Sequence, residues 1–198
     1  MEISSLIKWI EELSLKEGIK IEDIPSIDLY MDQVSTLFED KLQHTKRYET
    51  DKLLTKTMIN NYTKDKLLMP SKKKKYTREH IILMSLIYQL KNVLSIGDIK
   101  QLLSPISQQE EVDKEELLRM YSIYLHSKEY ALESFQKEVE ELFTHLKEQL
   151  VQKEPGQKAL EEESELLMAM LLVEKASYYK KLAEKIIDSK TIKKEPQN

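Results

Sequence analysis

Residues 54–90 read LTKTMINNYTKDKLLMPSKKKKYTREHIILMSLIYQL, and the order of features in this stretch decides the fold. Two helical patterns flank a proline and a run of four lysines. In the first pattern Met58, Ile59 and Tyr62 are spaced so that they share the inward face of a helix. Because proline cannot continue a helix, we expect this helix to end at Pro70 and the lysine run to form an exposed basic connector.

Threonines stand where both helices of this stretch should begin. Thr55, or alternatively Asp51, can accept hydrogen bonds from the free N–H groups of the first helical turn. Thr77 can cap the second helix, although His80 occupies the position where a full capping box has glutamate or glutamine. The second helix is rich in leucine and isoleucine, and we expect it to extend to about Val93.

Three further short helices are expected on either side of this stretch. The first runs from Ile3 to about Leu15. The second begins at an Asp28 cap and continues to about Arg47. The third follows the Leu/Ile-rich helix and stops before Pro105, because a proline inside a helix removes a backbone hydrogen bond.

The C-terminal part of the chain has the pattern of two long amphipathic helices. We expect them at about 113–151 and 159–187, joined at Pro155 and Gly156 as an antiparallel hairpin. Apolar surface left over on this hairpin would suit a partner subunit, and residues 191–198 are expected to be a disordered tail. The apolar positions expected to face inward are Leu132, Phe135, Val139, Leu142, Leu146, Leu150, Leu160, Leu167, Met170, Val173 and Leu182.

The composition favours an all-α protein. Of 198 residues only three are glycine and five are proline, too few for many hairpin turns, while helix-forming residues are abundant. The absence of cysteine excludes disulfides and thiolate chemistry. No apolar run approaches the ~18 residues of a membrane span, and residues 1–14 do not have the pattern of a signal peptide. We therefore expect a cytoplasmic protein without membrane association.

Charge is distributed unevenly along the chain. Residues 41–100 contain 14 basic and 5 acidic residues, a net charge of +9. Residues 1–40 have a net charge of −7, and residues 101–198 a net charge of −6. A basic middle segment between acidic flanks is typical of a surface that binds a polyanion, chiefly nucleic acid. Solvated lysine-rich faces are also common in helical proteins, so charge alone is a weak indication.

Residues 28–103 contain a series of features in a distinctive order. The segment DLYMDQVSTLF comes first, and the later features fall on Ile59, Tyr62, Leu67, Leu68, Pro70, Tyr76, Thr77, Ser95, Ile96, Ile99, Leu102 and Leu103. This series resembles the DNA-binding domain of the mercury-resistance regulator (MerR) family. In that family a recognition helix is followed by Leu-Leu-Pro, a basic wing, a helix that begins Tyr-Ser/Thr, and a Ser-Leu/Ile-x-x-Ile segment. The whole chain also resembles a bacterial family known only as a domain of unknown function.

The resemblance to MerR implies a helix-turn-helix module with a shortened wing at 27–106, acting as a homodimer on double-stranded DNA to regulate transcription. Residues 1–26 would form an N-terminal helix and connector, and residues 107–190 the dimerisation region. Short polar side chains of the recognition helix would read bases, and the lysine run would contact phosphates. The residues predicted to contact DNA are Lys56, Thr57, Asn60, Asn61, Lys64, Lys72, Lys73, Lys74, Lys75, Tyr76 and Arg78.

The sequence contains no pattern that indicates catalysis, a metal site or a cofactor, and we expect the protein not to be an enzyme. Glycine-rich nucleotide loops and a nucleophile elbow are missing. A di-iron bundle would need Glu-x-x-His pairs, and no histidine has a glutamate three residues before it. We interpret each of the four as a surface residue or a hydrogen-bonded helical residue: His44, His80, His126 and His145.

Two groups of large side chains could indicate a pocket but are more typical of packing. Tyr121, Tyr124 and Tyr130 are spaced as if to line a small-molecule site, although helical packing commonly produces such spacing. Met168 and Met170 are interpreted as core filler. No other feature supports a small-molecule effector.

Two alternatives to a MerR-like regulator stay open. One is a helical protein-interaction adaptor that keeps the fold without binding DNA. The other is an all-α regulator of the TetR kind with a ligand cavity. In that kind the helix-turn-helix lies nearer the N-terminus than the basic segment does here, which argues against it.

Overall fold

A computed structural model describes residues 2–107, 113–153 and 157–192. The all-α class expected from the sequence is confirmed, because helices dominate and the described strands are two residues long. Short 3-10 turns occur at Ile21–Asp23 and Gln43–Thr45. The main elements are, in chain order, α1 (Ile3–Glu12), β1 (Leu29–Tyr30), α2 (Met31–Leu42), α3 (Lys56–Lys64), β2 (Lys75–Tyr76), α4 (Arg78–Leu90), α5 (Ile96–Ser107), α6 (Lys114–Lys153) and α7 (Gln157–Ile192).

The chain forms two compact units. We call the described residues of 17–127 and 186–192 the short-helix unit, and the described residues of 2–16 and 128–185 the long-helix unit. Helices α6 and α7 contribute residues to both. The domain bounds expected from the sequence, 27–106 and 107–190, stay a prediction.

Helix α4 is the centre of the short-helix unit. Every residue from Glu79 to Ile87 is buried, so neighbouring elements cover this helix on all sides. The surrounding elements contribute buried side chains to one hydrophobic cluster. These side chains include Val34 and Phe38 of α2, Ile59 and Tyr62 of α3, Ile99 and Leu103 of α5, and Tyr121 of α6.

Helix α2 begins at Met31 rather than at Asp28, because the residues between them form strand β1. β1 pairs antiparallel with β2, and this pairing connects segments that are far apart in sequence. The backbone N–H of Tyr30 donates to Oε1 of Gln33 over 2.9 Å, so a glutamine in the first turn closes the start of the helix. The far end, at Leu42, also lies earlier than predicted, and a 3-10 turn follows it.

Helix α3 ends at Lys64, well before Pro70. Lys66 adopts a left-handed conformation with φ of 59°. The N–H of Leu67 then donates to the carbonyl of Tyr62 over 2.9 Å, which is the closing bond of a Schellman motif. The prediction that proline ends this helix was wrong, because the chain satisfies its last carbonyls before the proline is reached.

Helix α5 continues through Pro105, so the prediction that it stops before this proline was also wrong. Proline cannot donate a hydrogen bond to the carbonyl of Gln101, one turn earlier. Oγ of Ser104 donates to that carbonyl over 2.9 Å. The preceding serine therefore compensates for part of the cost of the proline.

The long-helix unit has its own hydrophobic cluster. Leu6 and Ile10 of α1 pack with residues of α6 and with Met168 of α7. Helix α1 ends at Glu12, earlier than the predicted Leu15. The α6 residues in the cluster are Val139, Phe143, Leu146 and Leu150, with Phe135 and Leu142 partly buried beside them.

The inward face predicted for α7 was wrong in part. Leu167 is half-buried, whereas Met170, Val173 and Leu182 are exposed. Methionine fills the core at Met168 but not at Met170. The expected joint at residues 155–156, the side chain of residue 160 and residues 193–198 of the expected tail lie outside the described residues. The tail was expected to begin at residue 191, whereas α7 continues to Ile192.

Candidate nucleic-acid interface

Helix α3 has one buried face and one exposed polar face. Ile59 and Tyr62 are buried in the core of the short-helix unit. Oγ1 of Thr55 accepts the backbone N–H of Met58 over 3.2 Å, so the threonine cap predicted from the sequence is confirmed. Because its apolar face is locked against the core, the opposite side chains have a fixed outward direction. These exposed side chains are Lys56, Thr57, Asn60, Asn61 and Lys64.

The four lysines that follow form a tight two-residue hairpin, which we call the lysine turn (Lys72–Lys75). The backbones of Lys72 and Lys75 exchange two hydrogen bonds of 3.1 and 2.9 Å. The central residues, Lys73 and Lys74, have positive φ values of 51° and 64°, as in a type I′ turn. Such turns strongly prefer glycine and asparagine, so the residue types of this exposed basic connector do not indicate the hairpin that it forms.

The lysine turn is attached to the core at both ends. Leu67 and Leu68 are fully buried just before it. After it, strand β2 pairs with β1 directly before α2. The ammonium group of Lys75 lies 5.1 Å from the ring centre of Tyr30, a cation–π contact that holds this lysine along the sheet. The side chains of Lys72, Lys73 and Lys74 remain exposed.

Two of the residues predicted to contact DNA, Tyr76 and Arg78, are buried or half-buried rather than exposed. The side chain of Tyr76 is only 6% exposed, and its ring packs edge-on against His80 with ring centres 5.5 Å apart. Arg78 is half-buried, and its Nη2 atom donates weakly to the carbonyl of Ile21 over 3.5 Å. Nε of Arg78 is buried and has no hydrogen-bond partner among the residues that the structure describes. Tyr76 and Arg78, which follow the lysine turn in the chain, therefore contribute to packing.

A buried histidine joins the lysine turn to α4. Nδ1 of His80 accepts the backbone N–H of Thr77 over 3.1 Å, and Nε2 lies 3.3 Å from the carbonyl of Pro70. Burial lowers the pKa of His80, and the hydrogen bond to Pro70 opposes this change only in part. Beside it, the Glu79 carboxylate accepts the Thr77 hydroxyl and lies 3.8 Å from Nζ of Lys114. Of the two interpretations that the sequence left open for His80, a surface residue or a hydrogen-bonded helical residue, the second is confirmed.

The tyrosines considered as a pocket do not form one together. Tyr121 is fully buried, Tyr124 is half-buried with its ring stacked beside it at 6.3 Å, and Tyr130 is exposed. Among residues 2–107, 113–153 and 157–192, no group of three or more acidic or histidine side chains is placed to hold a metal ion. Within the same described ranges, no helix combines the length and apolarity of a membrane span.

No curated protein and no solved structure matched the sequence. A family model described as "Domain of unknown function (DUF1836)" matches residues 19–124, which is more than half of the chain and includes α3, the lysine turn and α4. The chain therefore belongs to the family described as Domain of unknown function (DUF1836).

Proposed function

We propose that this protein is a sequence-specific DNA-binding transcriptional regulator that acts as a homodimer in the cytoplasm. One observation carries the proposal: α3 buries Ile59 and Tyr62 while it presents a row of short polar and basic side chains to solvent. A helix that reads DNA needs this combination, because its core face fixes the direction of the groups that enter the major groove.

The chemistry of the exposed α3 face fits base recognition. The amide of asparagine can form two hydrogen bonds with adenine, and we assign this role to Asn60 and Asn61. Lysine can donate to guanine or to phosphate, a role for Lys56 and Lys64. Thr57 offers a small hydroxyl and a methyl group on the same exposed face.

The lysine turn supplies the electrostatic part of the proposed interface. Lys72, Lys73 and Lys74 are exposed within a segment, residues 41–100, whose net charge is +9. Phosphate contacts of this kind provide affinity and orientation without sequence information. Positive φ at two lysines costs conformational energy, and such strain often persists where function requires the side chain.

The element order is a further argument for the proposal. A first helix, a recognition helix, a basic wing and a Leu/Ile-rich helix follow one another in the MerR-type domain that the sequence resembles, and α2, α3, the lysine turn and α4 come in the same order. The connector between α2 and α3, residues 43–55, is longer than the tight turn of that family. Leu53 and Leu54 are buried in it, and Nζ of Lys91 donates to the carbonyl of Leu53 over 2.9 Å. The spacing of the two helices would thus be fixed by packing.

The experiment is a salt titration of DNA binding by the full-length protein, followed by fluorescence anisotropy of a labelled duplex. We expect the triple variant K72A/K73A/K74A to bind all duplexes more weakly. Its slope of log affinity against log salt should become shallower by up to about 5 for the dimer, about 2–3 per protomer, because roughly 0.9 counterions are released per phosphate contact. The control K8A/K137A/K185A removes the same charge from exposed lysines of the long-helix unit.

Equal affinities and salt slopes for the lysine-turn variant, the control and the parent protein would contradict the phosphate-contact role. If the parent protein did not bind DNA at low salt, the proposal as a whole would fail. The second candidate function, a protein-interaction adaptor, would then be the better-supported of the two. It is favoured by the exposed apolar side chains of α7, among them Leu166, Met170 and Val173.

A further inference from the structure

Helix α7 carries an apolar stripe that nothing covers in the described part of the long-helix unit. Leu166, Met170 and Val173 are 62%, 59% and 72% exposed. Their spacing of four and three residues places them on one face of the helix. Ser164 and Met168, on nearly the opposite face, are fully buried, and Met168 packs in the unit's own core. Solitary exposed apolar residues are ordinary, but an aligned set opposite a packed face is typical of a helix–helix contact.

Charged residues flank the stripe in a self-complementary arrangement. Glu162 and Glu163 lie near its N-terminal end, and Lys180 and Lys181 near its C-terminal end, all exposed. Glu162 and Lys180 are 18 residues apart, as are Glu163 and Lys181, which equals about five helical turns. Each pair therefore lies along one edge of the stripe, acidic at one end and basic at the other.

We propose that two copies of this chain associate through this stripe, with their α7 helices antiparallel. This inference rests on the proposed homodimer and specifies the surface that forms it. The two-fold axis would pass between residues 171 and 172. Met170 would then contact Val173 of the second copy, and Leu166 would lie opposite Ser177 of the second copy.

The charges select the antiparallel direction. With antiparallel helices, Glu162 faces Lys180 of the second copy and Glu163 faces Lys181 of the second copy, on both sides of the two-fold axis. With parallel helices, glutamates would face glutamates and lysines would face lysines. Lys180 also lies 3.8 Å from Glu184 within its own helix, and that exposed contact is weak enough to be shared. The apolar stripe would supply affinity and the charges orientation.

Light scattering on the full-length protein without DNA tests the surface. We expect a dimer for the parent chain and a monomer for V173E. The glutamate would bury two unpaired charges per dimer and raise the dimer Kd by at least about a hundredfold. The matched control is L182E, because Leu182 is also exposed but lies about 160° around the helix from Leu166. A monomeric parent chain, or a V173E protein as dimeric as L182E, would overturn the proposal.

Charge reversal tests the pairing. E162K/E163K makes both ends of the stripe basic, and K180E/K181E makes both ends acidic. Each variant alone should dimerise more weakly than the parent, whereas an equimolar mixture should form heterodimers and the fourfold swap should recover dimerisation. Circular dichroism checks that each variant keeps its helix content. Unchanged homodimers of both double variants would show that these residues do not face each other.

Cysteine crosslinking tests the direction, since the chain has no thiol of its own. L166C and S177C chains should form an intermolecular disulfide when mixed and not when oxidised separately. Crosslinking of each variant with itself would indicate parallel helices and contradict the proposal. None of these measurements involves DNA, so a failure here leaves the proposed DNA interface standing, and a failure of DNA binding leaves this dimer standing.

Discussion

The backbone N–H of Thr77 donates to Nδ1 of His80 over 3.1 Å at the point where the lysine turn leads into α4. This bond requires Nδ1 to be unprotonated, so the imidazole proton is on Nε2, which donates to the carbonyl of Pro70. A histidine thus does what glutamate or glutamine does in an ordinary capping box. The neutral imidazole therefore contacts Pro70 before the lysine turn and Thr77 after it, and so connects the two ends of this segment.

Stability should therefore decline as the solution becomes mildly acidic. Burial disfavours the imidazolium form, so the pKa of His80 in the folded protein lies below its usual value of 6.5. As pH falls below 6.5, the unfolded chain binds the proton first. The free energy of unfolding should be largest above that pH and decrease as pH falls toward the folded pKa. Urea unfolding at several pH values measures this.

The control for the pH effect is H80Q. Glutamine can accept the same N–H of Thr77 but does not titrate, so the decline between neutral and mildly acidic pH should become much smaller in this variant. His44, His126 and His145 remain in both proteins and provide a common background. A decline that is identical in H80Q and in the parent chain would mean that His80 does not cause it.

The lysine turn should show opposite effects on stability and on DNA affinity. K73N/K74G introduces Asn-Gly, the preferred pair for a type I′ turn, and should raise the free energy of unfolding by about 1 kcal/mol or more. The same change removes two charges and should weaken binding to any duplex. K73A/K74A removes the charges without relieving the strained backbone, so it should lose affinity and gain no stability. Thermal melts and salt titrations of the three proteins provide the comparison.

The lysine turn also shows which features could not be predicted from residues that are neighbours in the sequence. The caps at Thr55 and Thr77 were predictable, because a cap depends on residues three or four positions away. The pairing of β1 with β2 joins segments far apart in sequence, and strands of two residues give no alternating pattern. A hairpin without glycine has no turn signature either. Tertiary contacts, including the buried Leu67 and Leu68, hold the turn despite its residue types.

The hydroxyl of Tyr121 ties α6 to two other parts of the short-helix unit. It donates to the carbonyl of Ile19 over 2.6 Å and lies 2.9 Å from Oγ of Ser85 on α4. Burial raises the pKa of Tyr121 to about 12, so the hydroxyl stays protonated throughout the physiological range. Y121F should reduce the free energy of unfolding by about 1–3 kcal/mol, because it leaves a buried carbonyl without this donor.

A double-mutant cycle with S85A separates the two hydrogen bonds of Tyr121. The two substitutions should be less than additive, since they share the contact between the hydroxyl groups. Chemical unfolding of Y121F, S85A and the double variant measures the coupling. Full additivity would mean that the Ser85 contact contributes nothing and that only the bond to Ile19 is stabilising.

Asn60 and Asn61 should be unimportant for folding, unlike their neighbour Tyr62. Both asparagines are exposed on α3, so N60A and N61A should keep the melting temperature or raise it slightly, because alanine is the better helix former. Y62A removes a buried aromatic side chain and should cost about 3 kcal/mol or more. A large loss of stability in N60A or N61A would show that these side chains serve the fold.

The sequence predicted the bounds of the two long helices better than it predicted which face of each helix is buried. Helix α6 lies close to the expected bounds, and its inward stripe from Phe135 to Leu150 matches the core. On α7, leucine and methionine occur on several faces, so apolar spacing alone did not identify the buried one. Only the packing of Met168 against α1 and α6 shows that Met170 and Val173 lie outside. The dimer contact proposed here depends on that difference.

The most direct test of the central claim is a binding selection on random duplexes with the full-length protein. The parent protein should enrich an inverted repeat whose half-sites lie about one helical turn or a multiple apart. N60A/N61A should retain general affinity but lose the preference at one or two positions of each half-site, worth about 1–3 kcal/mol per lost base contact. If the parent enriched no motif, or if N60A/N61A enriched the same motif with equal strength, α3 would not be the helix that reads DNA.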